Sequence, residues 1–248
     1  MPRHSVTSLP GGTENGRLLW EGCLNVRDVG GLVRADNIRR LSDDGWRALV
    51  AHGVGRVIDL RFPEELAEDV PRDVPVEVVH VSLLGDSRTE EWLAEFNAAM
   101  DRAETAEEYL VWSYLEFLER YRERFGRVFQ AIADAPPAPV VVHCVGGKDR
   151  TGLVVALALR LAGVPLDDVA ADYALTEANL RPEHDAWVAA APDAAERRRR
   201  ELLLPAPARA MKSVLEELER RYGSAAGYLR AGGVTYGELA RVRERLLA

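Results

Sequence analysis

The chain has 248 residues, of which 47% are hydrophobic and 29% are charged, and its formal net charge is −8 at pH 7. A chain of this length and composition can bury a sizeable core, and its acidic balance argues against a general binder of nucleic acid or of anionic membranes. We therefore expect no nucleic-acid partner, while a local basic pocket stays compatible with the overall charge.

The sequence also predicts a cellular location. Two cysteines occur, Cys23 and Cys144, so no disulfide framework is implied, and a reducing, cytoplasmic compartment is expected. Residues 1–16 lack the apolar core of a signal peptide and are predicted to form a flexible tail, while export by a route without a signal peptide stays open. The longest apolar run, at residues 153–159, is far shorter than the ~20 residues that cross a bilayer, so no stable membrane insertion is expected.

Helical and extended patterns alternate in the first part of the chain. Ser42 is a predicted N-cap, and Leu41 and Trp46 have the spacing of a hydrophobic staple, which predicts a helix within LSDDGWRALVAHG. The runs VGRVIDL (54–60) and VPVEVVHVSL (74–83) are rich in β-branched residues and predict two strands.

Helical periodicity continues over residues 89–104 and 105–135. A β-branched run at 139–142 then predicts a short buried strand, and the apolar run after it predicts a buried central helix. Beyond residue 164 the patterns are helical only. The segments concerned are PLDDVAADYALTEANL, PDAAERRRRELL, PARAMKSVLEELERRYG and TYGELARVRERLLA.

Strands separated by helices predict an α/β fold with a mostly parallel central sheet flanked by helices. We expect a single domain over residues 1–248, with a helical lid or C-terminal appendage. Prolines punctuate residues 182–208, which are predicted to form a mobile lid segment.

The segment HCVGGKDRTG, residues 143–152, joins the predicted strand to the central helix through a glycine-containing loop. The N-terminus of a helix offers unpaired backbone N–H groups to an anion. A helix N-terminus and a nearby guanidinium, here that of Arg150, both favour the thiolate form of a cysteine, which is the nucleophilic form. Arg150 also presents a planar fork that matches two oxygens of a phosphate. Cys144 and Arg150 are therefore predicted catalytic residues.

The loop around them is predicted to bind the phosphate. Gly146 and Gly147 are expected to turn the backbone with positive φ, and the hydroxyl of Thr151 is expected to stabilise the thiolate. A buried structural cysteine beside a glycine turn is the alternative, which the arginine spacing disfavours. The predicted phosphate-binding residues are Val145, Gly146, Gly147, Lys148, Thr151 and Gly152, with Arg27 from earlier in the chain.

HCVGGKDRTG resembles the Cys-x5-Arg signature of the protein tyrosine phosphatase superfamily, and its GKDRTG part resembles bacterial tyrosine phosphatases of the mycobacterial PtpB type. NVRDVGG (25–31), VIDLRFPEE (57–65) and YGSAAGYLRAGGVTYGELARVRERLL resemble further motifs of that family, so the likeness extends over most of the chain. Val26 and Phe62 depart from the family pattern. The resemblance implies a phosphatase-like fold, with the site at the C-terminal edge of the sheet, and a reaction without metal or other cofactor.

The resemblance also implies that Cys144 attacks phosphorus, that an acid protonates the leaving oxygen, and that water then hydrolyses the phosphocysteine. Asp149 matches the family's position for the acid and is the first candidate. Asp59, at a strand end, is the second, and Asp86 is the third. Each has a structural alternative: Asp59 could orient Arg150, and Asp86 could cap the helix that follows it.

Three further features have two interpretations each. A lysine at the position of Lys148 also occurs in phosphoinositide phosphatases of the superfamily, where the resemblance implies contact with a second phosphate; the alternative is a solvated loop lysine. We expect its replacement to have a modest effect, concentrated on phosphoinositides. The run ERRRRE (196–201) is predicted to be an exposed helix face, with a basic lid as the alternative. Arg27 and Asp28 either line the site or belong to a structural turn.

The predicted function is cysteine-dependent hydrolysis of phosphotyrosine, with phosphoserine, phosphothreonine or phosphoinositide as further substrates. The expected partners are therefore phosphorylated proteins or phosphoinositides. A rhodanese-like sulfurtransferase is the alternative enzyme, although its loop would not need Thr151 or the Lys148–Asp149 pair. An inactive phosphate-binding module is a third interpretation. It is disfavoured because the residues expected to activate the Cys144 nucleophile are all present. A nucleotide P-loop is excluded, because no Ser or Thr directly follows the lysine of GGKDR.

Overall fold

The computed structural model of the protein describes residues 16–248, and the predicted flexible tail lies almost wholly outside the described residues. Within that range a five-stranded sheet has the strand order β1-β2-β5-β3-β4. The strands are β1 (Arg27–Asp28), β2 (Leu32–Ala35), β3 (Arg56–Asp59), β4 (Glu77–His80) and β5 (Val140–His143). Neighbouring strands are parallel except β1, which is antiparallel to β2. The predicted α/β fold with a mostly parallel sheet is confirmed.

Eleven α-helices accompany the sheet in the described range. They are α1 (Asp43–Ala51), α2 (Pro63–Ala67), α3 (Glu90–Arg102), α4 (Ala106–Arg120), α5 (Arg122–Ala133), α6 (Asp149–Ala162), α7 (Leu166–Ala189), α8 (Ala194–Leu203), α9 (Ala208–Tyr222), α10 (Ala225–Ala231) and α11 (Tyr236–Leu247). Helices α2 and α10 have no counterpart among the individually predicted helices.

The strand β5 is buried on both faces, which explains its unbroken run of valines. Val140 and Val142 belong to a large core cluster that includes residues of α4, α5, α6 and α9. Val141 belongs to a second cluster, with Trp46 and Leu49 of α1. Ala35 of β2 and Asp59 of β3 are both in register with His143 at the end of β5, so the residue after His143 lies at the C-terminal edge of the sheet, in its middle.

The predicted start of α1 is confirmed. The hydroxyl of Ser42 accepts the backbone N–H of Gly45 at 3.1 Å, which satisfies one of the free donors of the first turn. Leu41 and Trp46 are both buried, as the hydrophobic staple requires.

The helical pattern of residues 105–135 is interrupted. Tyr121 separates α4 from α5, with φ −112° and ψ 20°. Phe117 and Phe125, one on each side of the break, are buried in the same core cluster. The apolar periodicity therefore runs across the break, and no proline or glycine marks it.

Residues 182–208, predicted to form a mobile lid, are helical over most of their length. Helix α7 continues through Pro182 to its end, and α8 follows after a short connection. Asp193 caps α8 by accepting a backbone N–H at 2.8 Å, and Leu202 of α8 is buried. The prolines therefore do not make this region a loop, and its role as a lid stays a prediction.

The stretch NVRDVGG forms the short β1–β2 hairpin. Asp28 accepts the backbone N–H of Gly30 at 2.9 Å, and Gly30 and Gly31 have φ values of 94° and 67°. The second carboxylate oxygen of Asp28 lies 3.2 Å from His52. For Asp28 the structure therefore favours the turn interpretation over the site interpretation.

Candidate active site

Cys144 directly follows β5, and its residue is 2% exposed. A loop of four residues leads from it to α6, which begins at Asp149. Within residues 16–248, the backbone N–H groups of residues 145–148 donate hydrogen bonds to no protein acceptor. A nucleophile and available anion-binding donors thus share one loop, at the N-terminus of a helix.

The loop needs glycine at one of its two predicted positions. Gly147 has φ +63°, and a Cβ there would lie 2.5 Å from the carbonyl oxygen of Ala35. Gly146 lacks a positive φ, and a Cβ there would meet only Leu180 at an ordinary 3.7 Å. The prediction of positive φ is therefore confirmed for Gly147 and wrong for Gly146, because the chain reverses only where the loop passes the end of β2.

Two residues that the sequence analysis did not select hold the carbonyl groups of this loop. Asn25 Nδ2 donates to the carbonyl oxygens of Gly146 at 3.1 Å and Gly147 at 3.2 Å. A guanidinium N–H of Arg34 donates to the carbonyl of Gly147 at 2.8 Å. These bonds tie the loop's acceptors to the protein, which leaves its N–H donors to meet an anion.

Arg27 supports the loop indirectly and does not lie on it. Its residue is 1% exposed, and its guanidinium donates to Asp172 of α7 at 3.1 Å and to Asn25 Oδ1 at 2.5 Å. Asp172 also pairs with Arg34 at 2.5 Å. Burial, with repulsion from Arg34, lowers the pKa of Arg27 to about 10, although Asp172 opposes this shift. Among residues 16–248, Arg27 makes no hydrogen bond and no ion pair with the loop itself.

Arg150 is oriented by Glu65 of α2, another residue that the sequence analysis did not assign. The two terminal nitrogens of Arg150 donate to the two carboxylate oxygens of Glu65 at 2.5 and 3.1 Å. The guanidinium lies 5.4 Å from the ring centre of Phe62, one of the two departures from the family pattern. Burial opposes the charge of Arg150, but Cys144 and Glu65 outweigh it and raise the pKa of Arg150. This end-on pairing leaves Nε–H and the outer N–H bonds of the guanidinium for a phosphate.

Asp149, the first candidate acid, lies at the first position of α6. Its Oδ1 accepts hydrogen bonds from Tyr114 at 2.5 Å and from Lys148 Nζ at 2.7 Å. Burial disfavours the charged carboxylate, but Lys148, Tyr114 and Arg150 outweigh it and lower the pKa of Asp149.

Lys148 is not the solvated loop lysine of one interpretation, because its residue is 6% exposed. Besides Asp149, its ammonium group contacts the backbone carbonyl of Pro205 at 3.4 Å. Contact with a second phosphate stays a prediction.

The other two candidate acids are held by arginines. Asp59 is bound by Arg61 through both oxygens, at distances from 2.7 to 3.1 Å. Burial opposes its charge, but His143 and Arg61 outweigh burial and hold the pKa of Asp59 far below its usual range. Asp86 pairs with Arg124 at 2.9 and 3.0 Å, and Thr89 caps α3 in its place. The structure therefore corrects both structural alternatives: Asp59 orients Arg61 rather than Arg150, and Asp86 is not the cap.

Thr151 and Gly152, which follow Arg150 in the chain, differ from their predicted roles. The hydroxyl of Thr151 is buried and has no hydrogen-bond partner in the described chain, so the expected bond to the thiol sulfur is not formed. Gly152 donates its N–H to the carbonyl of Lys148 at 2.9 Å and so does not offer it to an anion. A Cβ at Gly152 would lie 3.1 Å from Tyr173, so this glycine allows α6 to approach α7.

The thiol of Cys23, the other cysteine of the chain, has its own hydrogen bond and its own electrostatic surroundings. Its sulfur donates to the carbonyl of Asn37 at 3.5 Å. Burial, reinforced by Asp36, raises the pKa of the Cys23 thiol far above its usual range. The two thiols of the chain therefore have different environments.

A cavity of about 220 Å³ lies between α7 and the C-terminal end of α8 with the residues that follow it. It adjoins the loop, because Pro205 in its wall contacts Lys148. Its walls mix both signs of charge with apolar side chains. The lining residues are Glu177, Arg181, His184, Asp185, Val188, Glu201, Leu204 and Pro205.

The arginine run of α8 is only partly an exposed face. Arg198 donates to the carbonyl of Ala103 at 3.2 Å, and Arg199 pairs with Asp101 at 3.2 Å. Arg200 lies 4.7 Å from the centre of the Trp187 ring. These contacts attach α8 to the end of α3 and to α7.

Comparison with known proteins decides the family to which this site belongs. A family model described as the tyrosine phosphatase family matches residues 18–248. The chain belongs to the tyrosine phosphatase family. It is therefore a phosphoric monoester hydrolase of the tyrosine phosphatase type, and the family membership disfavours the sulfurtransferase and inactive-module alternatives.

Individual relatives agree with this membership. The phosphatase is 31% identical to a tyrosine-protein phosphatase of Nostoc commune, over 86% of this chain and 73% of the relative. It is 27% identical to the triple specificity protein phosphatase PtpB of Mycobacterium tuberculosis, over 91% of this chain and 97% of that protein. A putative tyrosine-protein phosphatase of Cupriavidus necator is 30% identical, over 66% of this chain and 63% of the relative. The predicted resemblance to tyrosine phosphatases of the PtpB type is confirmed.

No helix between residues 16 and 248 of this phosphatase combines the length and the apolar character that a membrane crossing requires.

Proposed function

We propose that this tyrosine phosphatase hydrolyses phosphotyrosine through a cysteinyl-phosphate intermediate on Cys144. The observation that carries the proposal is the loop at the edge of the sheet, where a thiol, available backbone N–H donors and an oriented guanidinium occur between residues 144 and 150. These groups suit a tetrahedral oxyanion, because each oxygen can accept from fixed donors while sulfur approaches phosphorus.

In the first step, the sulfur of the Cys144 thiolate forms a bond to phosphorus as the bond between phosphorus and the tyrosine oxygen breaks. Arg150 and the loop N–H groups bind the non-bridging oxygens. The leaving oxygen takes a proton from Asp149, so tyrosine departs as a neutral phenol. In the second step, water attacks phosphorus, its proton passes to the Asp149 carboxylate, and Cys144 leaves as the thiolate with release of inorganic phosphate.

The charge of the substrate assists Asp149 in this role. In the free enzyme Lys148, Tyr114 and Arg150 favour the ionised carboxylate. A phosphate bound to the loop adds negative charge beside Asp149, and a like charge favours the protonated form. We therefore propose that phosphate binding helps to keep the proton on Asp149 until the leaving oxygen needs it.

The proposal includes substrates beyond phosphotyrosine, because the loop N–H donors and Arg150 suit the phosphate group, which all of these substrates share. Val145, next to the nucleophile, is 45% exposed and offers an apolar contact to an aromatic ring, which supports phosphotyrosine as the main substrate. Phosphoserine, phosphothreonine and phosphoinositides are the further substrates, and a turnover panel of phosphopeptides and phosphoinositides ranks them.

The Cys144→Ser variant tests the covalent step. The hydroxyl of serine does not ionise as a thiol does, while the donors of the loop and Arg150 remain. We expect the purified variant to lose turnover of an aryl phosphate and to retain measurable binding of inorganic phosphate. Aryl phosphate hydrolysis by the variant at more than a trace of the wild-type rate would contradict the assignment.

A further inference from the structure

The carboxylate of Asp149 is held asymmetrically. Tyr114 of α4 donates its hydroxyl proton to Oδ1 at 2.5 Å, and Lys148 Nζ contacts the same oxygen at 2.7 Å. In the described part of the chain no hydrogen bond is made to Oδ2. The residue is only half-buried, whereas Tyr114 is 1% exposed. One oxygen of the carboxylate is therefore fixed by the protein, and the other is free to exchange a proton.

The hydrogen bond behind Tyr114 has a defined direction. The hydroxyl oxygens of Tyr114 and Tyr173 are 2.8 Å apart. A tyrosine hydroxyl has one proton, and Tyr114 uses it for Asp149, so Tyr173 of α7 must donate to Tyr114. Burial, with the negative charge of Asp149, raises the pKa of Tyr114 well above its usual value, so its proton stays in place. The chain of donors runs from Tyr173 through Tyr114 to Asp149.

We propose that Tyr114, supported by Tyr173, is a positioning residue that fixes Oδ1 of Asp149 and stabilises the carboxylate left when Asp149 gives its proton to the substrate. This inference rests on the proposed role of Asp149 as the acid. Tyr114 touches no reacting atom. It acts by directing Oδ2 toward the leaving oxygen and by donating to the charged form of the carboxylate.

Other charged or titratable groups also face Asp149. Lys148 and Arg150 lower the pKa of Asp149 from the loop and from α6. Tyr109 of α4 and His184 of α7 also interact electrostatically with this carboxyl. All four groups remain in a Tyr114→Phe variant, which removes one hydroxyl and keeps the ring. A change in that variant therefore reports the hydrogen bond.

The experiment compares pH profiles of kcat/KM for two substrates, an activated aryl phosphate and a phosphotyrosine peptide. Loss of the acid matters more for the peptide, whose leaving group is poorer. In Tyr114→Phe we expect about a tenfold loss on the peptide at acidic pH, with little loss on the activated ester. The falling limb of the peptide profile should move to higher pH by about one unit, because the carboxylate of Asp149 loses a hydrogen bond and its pKa rises. Tyr173→Phe should shift the limb in the same direction by less.

Tyr228→Phe is the matched control. Its hydroxyl is equally buried and donates to the carbonyl of Leu118 at 2.8 Å, far along the chain from the catalytic loop. We expect this control to leave both profiles unchanged. If Tyr114→Phe does not fold, Tyr173→Phe carries the test, because it removes only the supporting hydroxyl.

Asp149→Asn separates this inference from the proposed function. We expect it to lose activity on the peptide far more than on the activated ester, and to lose the falling limb. If it does neither, the acid lies elsewhere, and the role of Tyr114 fails with that part of the proposed function. If Asp149→Asn behaves as expected but Tyr114→Phe lowers kcat/KM equally for both substrates and does not move the falling limb, only the role of Tyr114 is overturned.

Discussion

The ammonium group of Lys148 is placed where it neutralises the carboxylate of Asp149, inside the protein. The ammonium group of Lys148 is buried and lies 2.7 Å from the half-buried carboxylate, so without Asp149 it would be a buried, uncompensated charge. The bond to Asp149 connects Lys148 to the proton transfer for every substrate, whatever its number of phosphates. This differs from the expectation that its effect is concentrated on phosphoinositides.

Lys148→Ala distinguishes the two roles. Because Asp149 loses its nearest cation, we expect turnover of a singly phosphorylated tyrosine peptide and of a phosphoinositide to fall by the same factor, on the order of tenfold. The other lysine of the chain, Lys212, pairs with Asp167 at 2.6 Å on the surface, and Lys212→Ala is the control, with unchanged turnover. A loss confined to the phosphoinositide, and reduced by added salt, would assign Lys148 to a second phosphate instead.

The connection between β5 and α6 depends on the backbone shape of a single glycine. At Gly147 the chain passes so close to the end of β2 that any side chain would meet the backbone of Ala35 and Asp36. Both neighbours are backbone atoms of a sheet edge, which cannot move as the end of a flexible side chain can. The position of the loop N–H donors is therefore set by contact with β2.

Gly147→Ala should consequently weaken both the fold and phosphate binding. Positive φ and the close contact together should lower the free energy of unfolding by about 1–3 kcal/mol, and the distorted loop should raise the inhibition constant for inorganic phosphate. Gly146→Ala is the control for stability, because its Cβ would have an ordinary contact and no unusual φ. Urea unfolding and phosphate inhibition measure the two effects. Equal unfolding free energies for the two variants would contradict the argument.

The elements that could be predicted are those whose causes are local. The valine run of β5 and the capping of α1 by Ser42 can each be recognised from a few neighbouring residues. The glycine pair of the loop marked a turn, but only the distant contact with β2 determines that Gly147 and not Gly146 must be glycine. The break at Tyr121 could not be predicted, because the same buried face continues on both sides of it. Strands β1 and β2 were not predicted as strands, because β1 has only two residues and β2 lies in no longer β-branched run of the kind that revealed β3 within VGRVIDL.

The supporting residues of the site were missed for a different reason. Asn25 contacts a residue 121 positions later, and Glu65 contacts Arg150 across 85 positions. Neither residue type is unusual for its place in the sequence. The stretches NVRDVGG and VIDLRFPEE, which contain them, resemble family motifs, but only the order of strands in the sheet shows that these two side chains reach the loop.

Across the whole molecule, α7 connects the sheet to the wall of the site. Asp172 of this helix pairs with Arg27 of β1 and Arg34 of β2, whose side chains are each 1% exposed. The same helix carries Tyr173, which contacts Tyr114, and Thr176, which accepts from Arg34 at 3.1 Å. The position of α7 is therefore fixed by a buried cluster of charges.

Removal of this carboxylate should be strongly destabilising. Asp172→Ala leaves two buried guanidinium groups without their shared partner, and we expect it to lower the free energy of unfolding by about 3–5 kcal/mol. Asp167→Ala, in the first turn of the same helix, removes an exposed carboxylate and should stay close to wild type. Urea unfolding of both variants checks the difference, and a similar small loss in both would contradict it.

The pH dependence of the free energy of unfolding follows from the same cluster of Asp172 with Arg34 and Arg27. Burial opposes the charge of Asp172, but Arg34 and Arg27 outweigh it and hold its pKa below the usual value. A lowered carboxyl pKa contributes stability that is complete above the unfolded pKa and is lost as the pH falls through the folded pKa. The wild-type free energy of unfolding should therefore decline below about pH 4, and the decline should be smaller in Asp172→Ala.

The different environments of Cys23 and Cys144 provide a chemical measure of the fraction of protein molecules whose catalytic loop is correctly formed. Burial and Asp36 keep the Cys23 thiol protonated, and a protonated thiol alkylates slowly. Because the proposed reaction uses Cys144 as a thiolate beside Arg150, an alkylating reagent that enters the loop near neutral pH should modify the intact protein once, at Cys144, and inorganic phosphate should slow that modification. The fraction of a preparation that takes up one equivalent then equals the fraction with a properly formed loop, and a second equivalent reports unfolding around Cys23.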